Sequence, residues 1–196
     1  MDLSKIDFAA LRSRFKESPH KNIDVEVLKA AIRAQLERLI RLNPTRADYQ
    51  EKFQELIESY NNGSRNIEML FNELLTLSGT LTTEQKRHVR EELTEEELVL
   101  FDILTRPAPE LDPAERAQVK KVACELLKRI KELLVINWRK KSAARSTLKL
   151  LIEDVLDGGL PSPFTKALYE QKCAALFEHV FDKYPERGGS VYAEVG

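Results

Sequence analysis

Residues 112–133 read DPAERAQVKKVACELLKRIKEL, and this stretch decides the fold. Asp112 stands where a helix N-cap belongs. Pro113 takes the first helical position, where a missing N–H costs nothing, and Glu115 sits where it completes a capping box. Behind that start, Val119, Val122, Leu126, Leu127, Ile130 and Leu133 recur at three- and four-residue spacing, which is one buried stripe on an α-helix.

Working outward, the same grammar repeats. Downstream, Leu133-Leu134-Val135-Ile136 loses the periodicity, so a break is expected there, with Asn137 capping an eighth helix that buries Ala144, Leu148, Leu151, Ile152 and Val155. Asp157-Gly158-Gly159 stops it, and Ser162-Pro163 opens a last helix with Tyr169, Cys173, Leu176, Phe177, Val180 and Tyr184 on its face. From Pro185 to Gly196 a flexible, frayed tail is expected, with Ser190 to Val195 the one stretch compatible with a strand.

Upstream, Ser4 is read as the cap of a first helix and Asp24–Leu42 as a second, ended by Asn43-Pro44. Thr45, with Asp48, reads as the cap of a third helix, which Asn61-Asn62-Gly63 closes in left-handed conformation. A fourth helix from Ser64 or Asn66 is expected to close near Ser78-Gly79. Thr82 or Thr83 then opens a short fifth carrying Val89 and Leu93, and Thr94-Glu95-Glu96-Glu97 caps a sixth. The fold class is all-α, about nine amphipathic helices. Short loops favour one domain over 1–184; the proline-rich run Arg106–Leu111 offers the alternative of two subdomains, 1–105 and 112–184, split near 105–112.

The chemistry that is missing narrows the function. No G-x-x-x-x-G-K-[ST] loop cradles nucleotide phosphates, and no H-E-x-x-H or clustered Cys/His set offers metal ligands. His20, His88 and His179 fall on different helices; His179 and Asp182 share a face but read as an ordinary surface or boundary pair. Cys124 and Cys173 read as reduced core residues. No catalytic, cofactor or metal residues are expected. With no secretory signal at Met1–Lys5 and no run of about 20 apolar residues, a cytoplasmic protein is expected.

Charge is uneven. Between Pro113 and Leu151 eleven bases stand against three acids, a net of +8, which leaves −9 for the rest of a chain whose total is −1. In residues 112–133, Glu125 stands four residues from Lys121 and from Arg129, and Lys128 four from Glu132, so these charges answer one another. The eighth helix differs. Lys141, Arg145 and Lys149 repeat every four residues with no acid among them, preceded by Trp138, Arg139 and Lys140. Like charges at that spacing repel by a few tenths of a kcal/mol per pair, about what an opposing partner would offset. DNA phosphate, an acidic protein surface and an acidic stretch of this chain such as 91–102 all remain open as that partner. Trp138 itself reads as a core or boundary aromatic.

Several phrases carry a resemblance: Leu93–Leu98 with Leu100–Leu104, Val119–Ala123, Asn137-Trp138-Arg139-Lys140-Lys141, Ile152–Leu156 and Leu168–Cys173, with Asp2–Phe8 and Asn43–Arg46 upstream. In order and spacing they resemble the C-terminal helical domain of the motor (R) subunit of type I restriction–modification enzymes, over residues 2–184. Asn137 in place of an aspartate and Gly158-Gly159 as a loose helix exit depart from that pattern. The resemblance implies a piece of a larger chain, with Met1 not the natural start. The parent would be an ATP-dependent site-specific deoxyribonuclease, ATP and Mg2+ belonging to its upstream nuclease and motor domains. It further implies a non-catalytic assembly domain that docks this motor onto the methyltransferase and specificity subunits. The alternative is a DNA-contact module that clamps duplex during translocation. Trp138, Arg139, Lys140, Lys141, Arg145 and Lys149 are the contact candidates under either reading.

Overall fold

The computed structural model describes residues 7–107, 109–185 and 189–192, so Ser4, Ala108 and most of the tail lie outside them. Among the described residues it holds nine α-helices: α1 (Phe8–Glu17), α2 (Lys21–Leu42), α3 (Ala47–Asn61), α4 (Ile67–Gln85), α5 (Arg87–Arg90), α6 (Glu95–Thr105), α7 (Pro113–Leu133), α8 (Ser142–Gly159) and α9 (Lys166–Lys183). The chain divides into two compact units, residues 1–90 and 91–196. That division falls between Arg90 and Glu91, not at the proline-rich run, which lies inside the second unit.

In the first unit α2 and α3 both pack on α4. The core gathers one stripe of α2, with Leu28, Ile32 and Leu36, against Leu70, Leu74 and Leu81 of α4, and Phe15 of α1 is stacked flat on Phe71 at 3.6 Å between centroids. Side chains of this size contribute about 1.5–3 kcal/mol each when taken from water.

Several helix boundaries differ from those expected, beginning with α2, which starts at Lys21 rather than near Asp24. α4 does not close at Ser78-Gly79 but runs on to Gln85, so no helix opens at Thr82 or Thr83. Leu77, Ser78 and Leu81 are buried, and the hydroxyls of Thr80, Thr82 and Thr83 turn back to carbonyls four residues earlier. Burying two leucines outweighs the cost of about 1 kcal/mol for a mid-helix glycine. What remains of the fifth helix is the single turn Arg87–Arg90, with Val89 exposed. Asn43 rather than Thr45 does the capping before α3, since its Oδ1 accepts from the Thr45 amide at 3.1 Å and heads a 3-10 turn over Pro44–Arg46. Gly63, with φ +78°, provides the left-handed exit from α3.

The first unit also buries charge. Arg46 is fully enclosed, and its Nε meets Glu84 Oε1 at 3.0 Å; Arg87 reaches the same oxygen at 2.9 Å.

In the second unit α6 packs on α7 and α9, α7 on α8 and α8 on α9, so four helices close a ring. Both expected capping boxes form: Thr94 with Glu97 at α6, and Asp112 with Glu115 at α7. Every residue of α6 from Leu98 to Thr105 is buried, as befits a helix apolar on most of its circumference. Gly159 answers the loose exit noted above: a Cβ there would lie 2.7 Å from Cγ2 of Val122, so the glycine lets the end of α8 pass against α7. α9 is capped by Thr165 rather than opened at Ser162-Pro163. Nor is the tail frayed throughout. Tyr192 is buried, Val191 N donates to Lys183 O, and Ser190–Tyr192 form no strand; residues 193–195 lie outside the described set.

Candidate functional site

Of the six contact candidates, Trp138, Arg139, Lys140 and Lys141 lie at the turn from α7 to α8 and Arg145 and Lys149 along α8, and the structure sorts them. Asn137 does not cap α8. It is left-handed (φ 56°), a 3-10 turn over Trp138–Lys140 follows, and α8 starts at Ser142. The reason is Trp138: the turn drives the indole inward, where it is fully buried, donates from Nε1 to Tyr184 O at 2.8 Å and meets Phe181 edge-on at 5.7 Å. Trp138 is therefore a core residue that anchors the turn, and leaves the list of contact residues.

The cations arrange themselves over two phenylalanines of α9. The Arg139 guanidinium lies 5.1 Å from the Phe181 centroid and Lys149 Nζ 4.9 Å from that of Phe177. Arg145 Nη1 donates to Arg139 O at 2.6 Å, which ties the start of α8 to the turn. Lys140 and Lys141 stay exposed at the corner, Lys141 as the backbone N-cap of α8. None of the five cations makes an ion pair with a carboxylate among the described residues. Cation–ring contacts at exposed sites contribute about 0.5–1 kcal/mol each, so they offset the stripe's self-repulsion without neutralising it.

Between α8 and α9 runs an open groove of about 690 Å³, walled by Arg145 and Lys149 with Ser142 and Ser146 on one side. Phe177 and Phe181 form its floor, and Glu178 and Asp182 its opposite wall. It continues past Lys149 and Phe177 into a second hollow of about 480 Å³ that reaches Glu153, Tyr169, Glu170 and Ala174. Glu178 and Phe181 were not singled out from the sequence, although a signal was there. Along α9, Tyr169, Cys173, Phe177 and Phe181 form one four-residue row, and Glu170, Ala174, Glu178 and Asp182 form the row beside it.

The acidic 91–102 stretch is not the counterpart of the α8 stripe; it serves α7 and the tail. Glu91 accepts from Arg116 at 3.1 Å and Lys120 at 2.5 Å, and the Lys120 hydrogen bond leads in holding its carboxyl below the usual range even against partial burial. Glu96 takes Lys131 at 2.6 Å and the hydroxyls of Tyr184 and Ser190. Arg129 pairs with Asp154 on α8 at 3.0 Å rather than with Glu125.

Other polar residues are occupied by structure. His179 turns away from exposed Asp182 and toward the Tyr192 hydroxyl, 3.1 Å from its Nε2. Burial, with Lys183 nearby, pushes its imidazole down to about 4. Lys172, buried, donates to the carbonyls of Arg106 (2.8 Å) and Pro107 (3.2 Å), pinning the proline-rich run onto α9. Both cysteines are half-buried and free; burial first and then Glu97 push the Cys124 thiol up to about 11, and burial likewise raises Cys173. Among the described residues no three His, Cys, Asp or Glu side chains converge as metal ligands, and no helix is long and apolar enough to cross a membrane.

The profile of a family described as "Type I restriction enzyme HindI endonuclease subunit-like, C-terminal" matches residues 1–178. The type I restriction enzyme HindI endonuclease subunit of Haemophilus influenzae is 23% identical over 142 residues, which cover 72% of this chain and 14% of that protein. The matched stretch is thus a small part of that curated relative's length. No solved structure matches the chain.

Proposed function

Because this chain belongs to the C-terminal family of HindI-like type I restriction endonuclease subunits, we propose that it is an assembly domain. It holds an ATP-dependent DNA translocase and nuclease, carried upstream in the same polypeptide, against the methyltransferase–specificity core in the cytoplasm. ATP and Mg2+ belong on this reading to the upstream domains; the sequence here carries no G-x-x-x-x-G-K-[ST] phosphate loop.

The observation that carries the reading is the groove of α8 and α9, whose basic wall faces an acidic wall across an aromatic floor. Enriched aromatics with flanking charges of both signs suit a polypeptide partner. A phosphate backbone approaching Arg145 and Lys149 would meet Glu178 and Asp182 as well. One feature favours the DNA clamp as a second reading: Lys140 and Lys141 are exposed and meet no carboxylate among the described residues.

Capture of the methyltransferase–specificity complex by this chain across a salt series tests the proposal. Capture that declines gently with salt is expected, and Lys141→Glu with Arg145→Glu should weaken it while thermal melting stays cooperative. Binding to DNA alone, falling by about 0.9 log units per log unit of salt for each phosphate contacted, with no capture of the complex, would replace assembly by the clamp.

A further inference from the structure

We propose that the groove between α8 and α9 receives one amphipathic helix of the partner, seated on Phe177 and Phe181, with its acidic flank along Arg145 and Lys149 and its basic flank along Glu178 and Asp182. The inference rests on the assembly reading and adds to it the place and the chemistry of the contact.

Length, backbone chemistry and charge each point to a helix. From Ser142 to Glu153 the groove follows eleven residue steps of α8, about 17 Å, which is about three helical turns of an occupant. Both walls are helices whose interior N–H and C=O groups are already bonded within their own chains. An extended segment laid between them would find no ladder to join and would leave its own amides unanswered, whereas a helix brings its backbone satisfied. Small side chains at Ser142, Ser146 and Ala174 leave room for close approach.

Charge fixes how the occupant sits. Over the stretch of Arg145 and Lys149 the walls carry opposite signs, and only toward Glu153 and Glu170 are both acidic, so an occupant with acids on one edge and bases on the other is matched in one orientation and repelled in the reverse. Lys149 is already held over Phe177, so its ammonium meets an incoming carboxylate without rearranging the floor. A uniformly acidic partner, nucleic acid included, satisfies one wall and is repelled by the other.

The test uses the full chain and the methyltransferase–specificity complex of the same system, with DNA present. A benzoylphenylalanine photocrosslinker is placed at Ser146 or at Ala174, and, as control, at Thr147, which is exposed on another face of α8. Ser146 and Ala174 should both crosslink to one partner segment with apolar residues at three- and four-residue spacing, and Thr147 should not. Arg145→Glu with Lys149→Glu, and separately Glu178→Lys with Asp182→Lys, should each lower capture by about tenfold. Tighter capture by the Glu178→Lys, Asp182→Lys variant, crosslinks to DNA or to a second copy of this chain, or capture untouched by both variants overturns the groove helix. Wild-type capture that survives in that last case leaves the assembly reading standing. No wild-type capture at all removes both.

Discussion

The two units handle positive charge in opposite ways. In the first, Arg46 is sealed inside and shares Glu84 with Arg87, so those guanidinium groups are committed to the fold. In the second, half-buried Arg139 and exposed Lys149 lie over aromatic rings and Lys140 and Lys141 are exposed, with no carboxylate drawn to any of them among the described residues. The contrast teaches that a count of basic residues says little about function until each has been traced to its partner. Of the basic excess over 113–151, Arg116, Lys120, Arg129 and Lys131 of α7 are answered by Glu91, Asp154 and Glu96, whereas the cations at the turn and along α8 meet no carboxylate among the described residues.

The sharpest break in that contrast is Glu84→Gln. It leaves two buried guanidinium groups without the carboxylate they share, and removing one member of a buried ion cluster costs about 3–5 kcal/mol. Chemical denaturation should show the first unit unfolding early while the second keeps its midpoint. Glu68→Gln, which removes the exposed pair with Lys21, should leave the midpoint in place. If the two variants behave alike, the buried charge cluster does not hold the first unit together.

How much of this was legible beforehand follows from the range of the interactions. The capping boxes at Thr94 and Asp112 and the glycine exit at Gly63 were read correctly because they are local: their partners lie within three residues or so. The end of α4 was misread because Ser78-Gly79 looks like a stop until the burial of Leu77 and Leu81 is known. Asn137 was misread as a cap because what bends the chain there is Trp138 reaching Tyr184, 46 positions away. At the candidate site the basic stripe was plain. Its floor and opposite wall were not, because Phe177 reads as core in any helical wheel and the acids of α9 look like ordinary solvated positions.

The second unit has its own buried ionisable group, and pH separates the units. Burial, then Lys183, holds the His179 imidazole at about 4, against 6.5 when open. A histidine with a depressed folded value takes up a proton on unfolding, so its contribution is complete above pH 6.5 and fades as pH falls from there toward 4. The full span amounts to about 3 kcal/mol. Protonation also places a charged imidazolium against the buried Tyr192, 3.1 Å from its hydroxyl, so that contact should loosen first. Denaturation of the second unit at pH 7, 5.5 and 4.5 should show the decline, and His179→Gln should flatten it over that window. Carboxylates held low, such as Glu91, begin to lose their contribution only near the ordinary carboxylate value of 4.5, at the foot of that window. A decline that persists undiminished in His179→Gln would place the titrating group elsewhere.

The smallest effect on stability carries the most weight for function. Lys149→Met keeps an unbranched stem over Phe177 and removes only the ammonium, so the fold should lose no more than about 0.5–1 kcal/mol. If the stripe exists for a partner, capture of the methyltransferase–specificity complex should nonetheless fall, by several-fold at low salt and less as salt rises, because one wall of the groove loses half its charge. Arg129→Met is the matched control: it removes a cation paired with Asp154, so it should cost a similar fraction of a kcal/mol and leave capture alone. Equal losses of capture from both would mean that net charge, rather than the arrangement over Phe177 and Phe181, is what the partner senses, and the distinction drawn between answered and unanswered cations would lose its functional meaning.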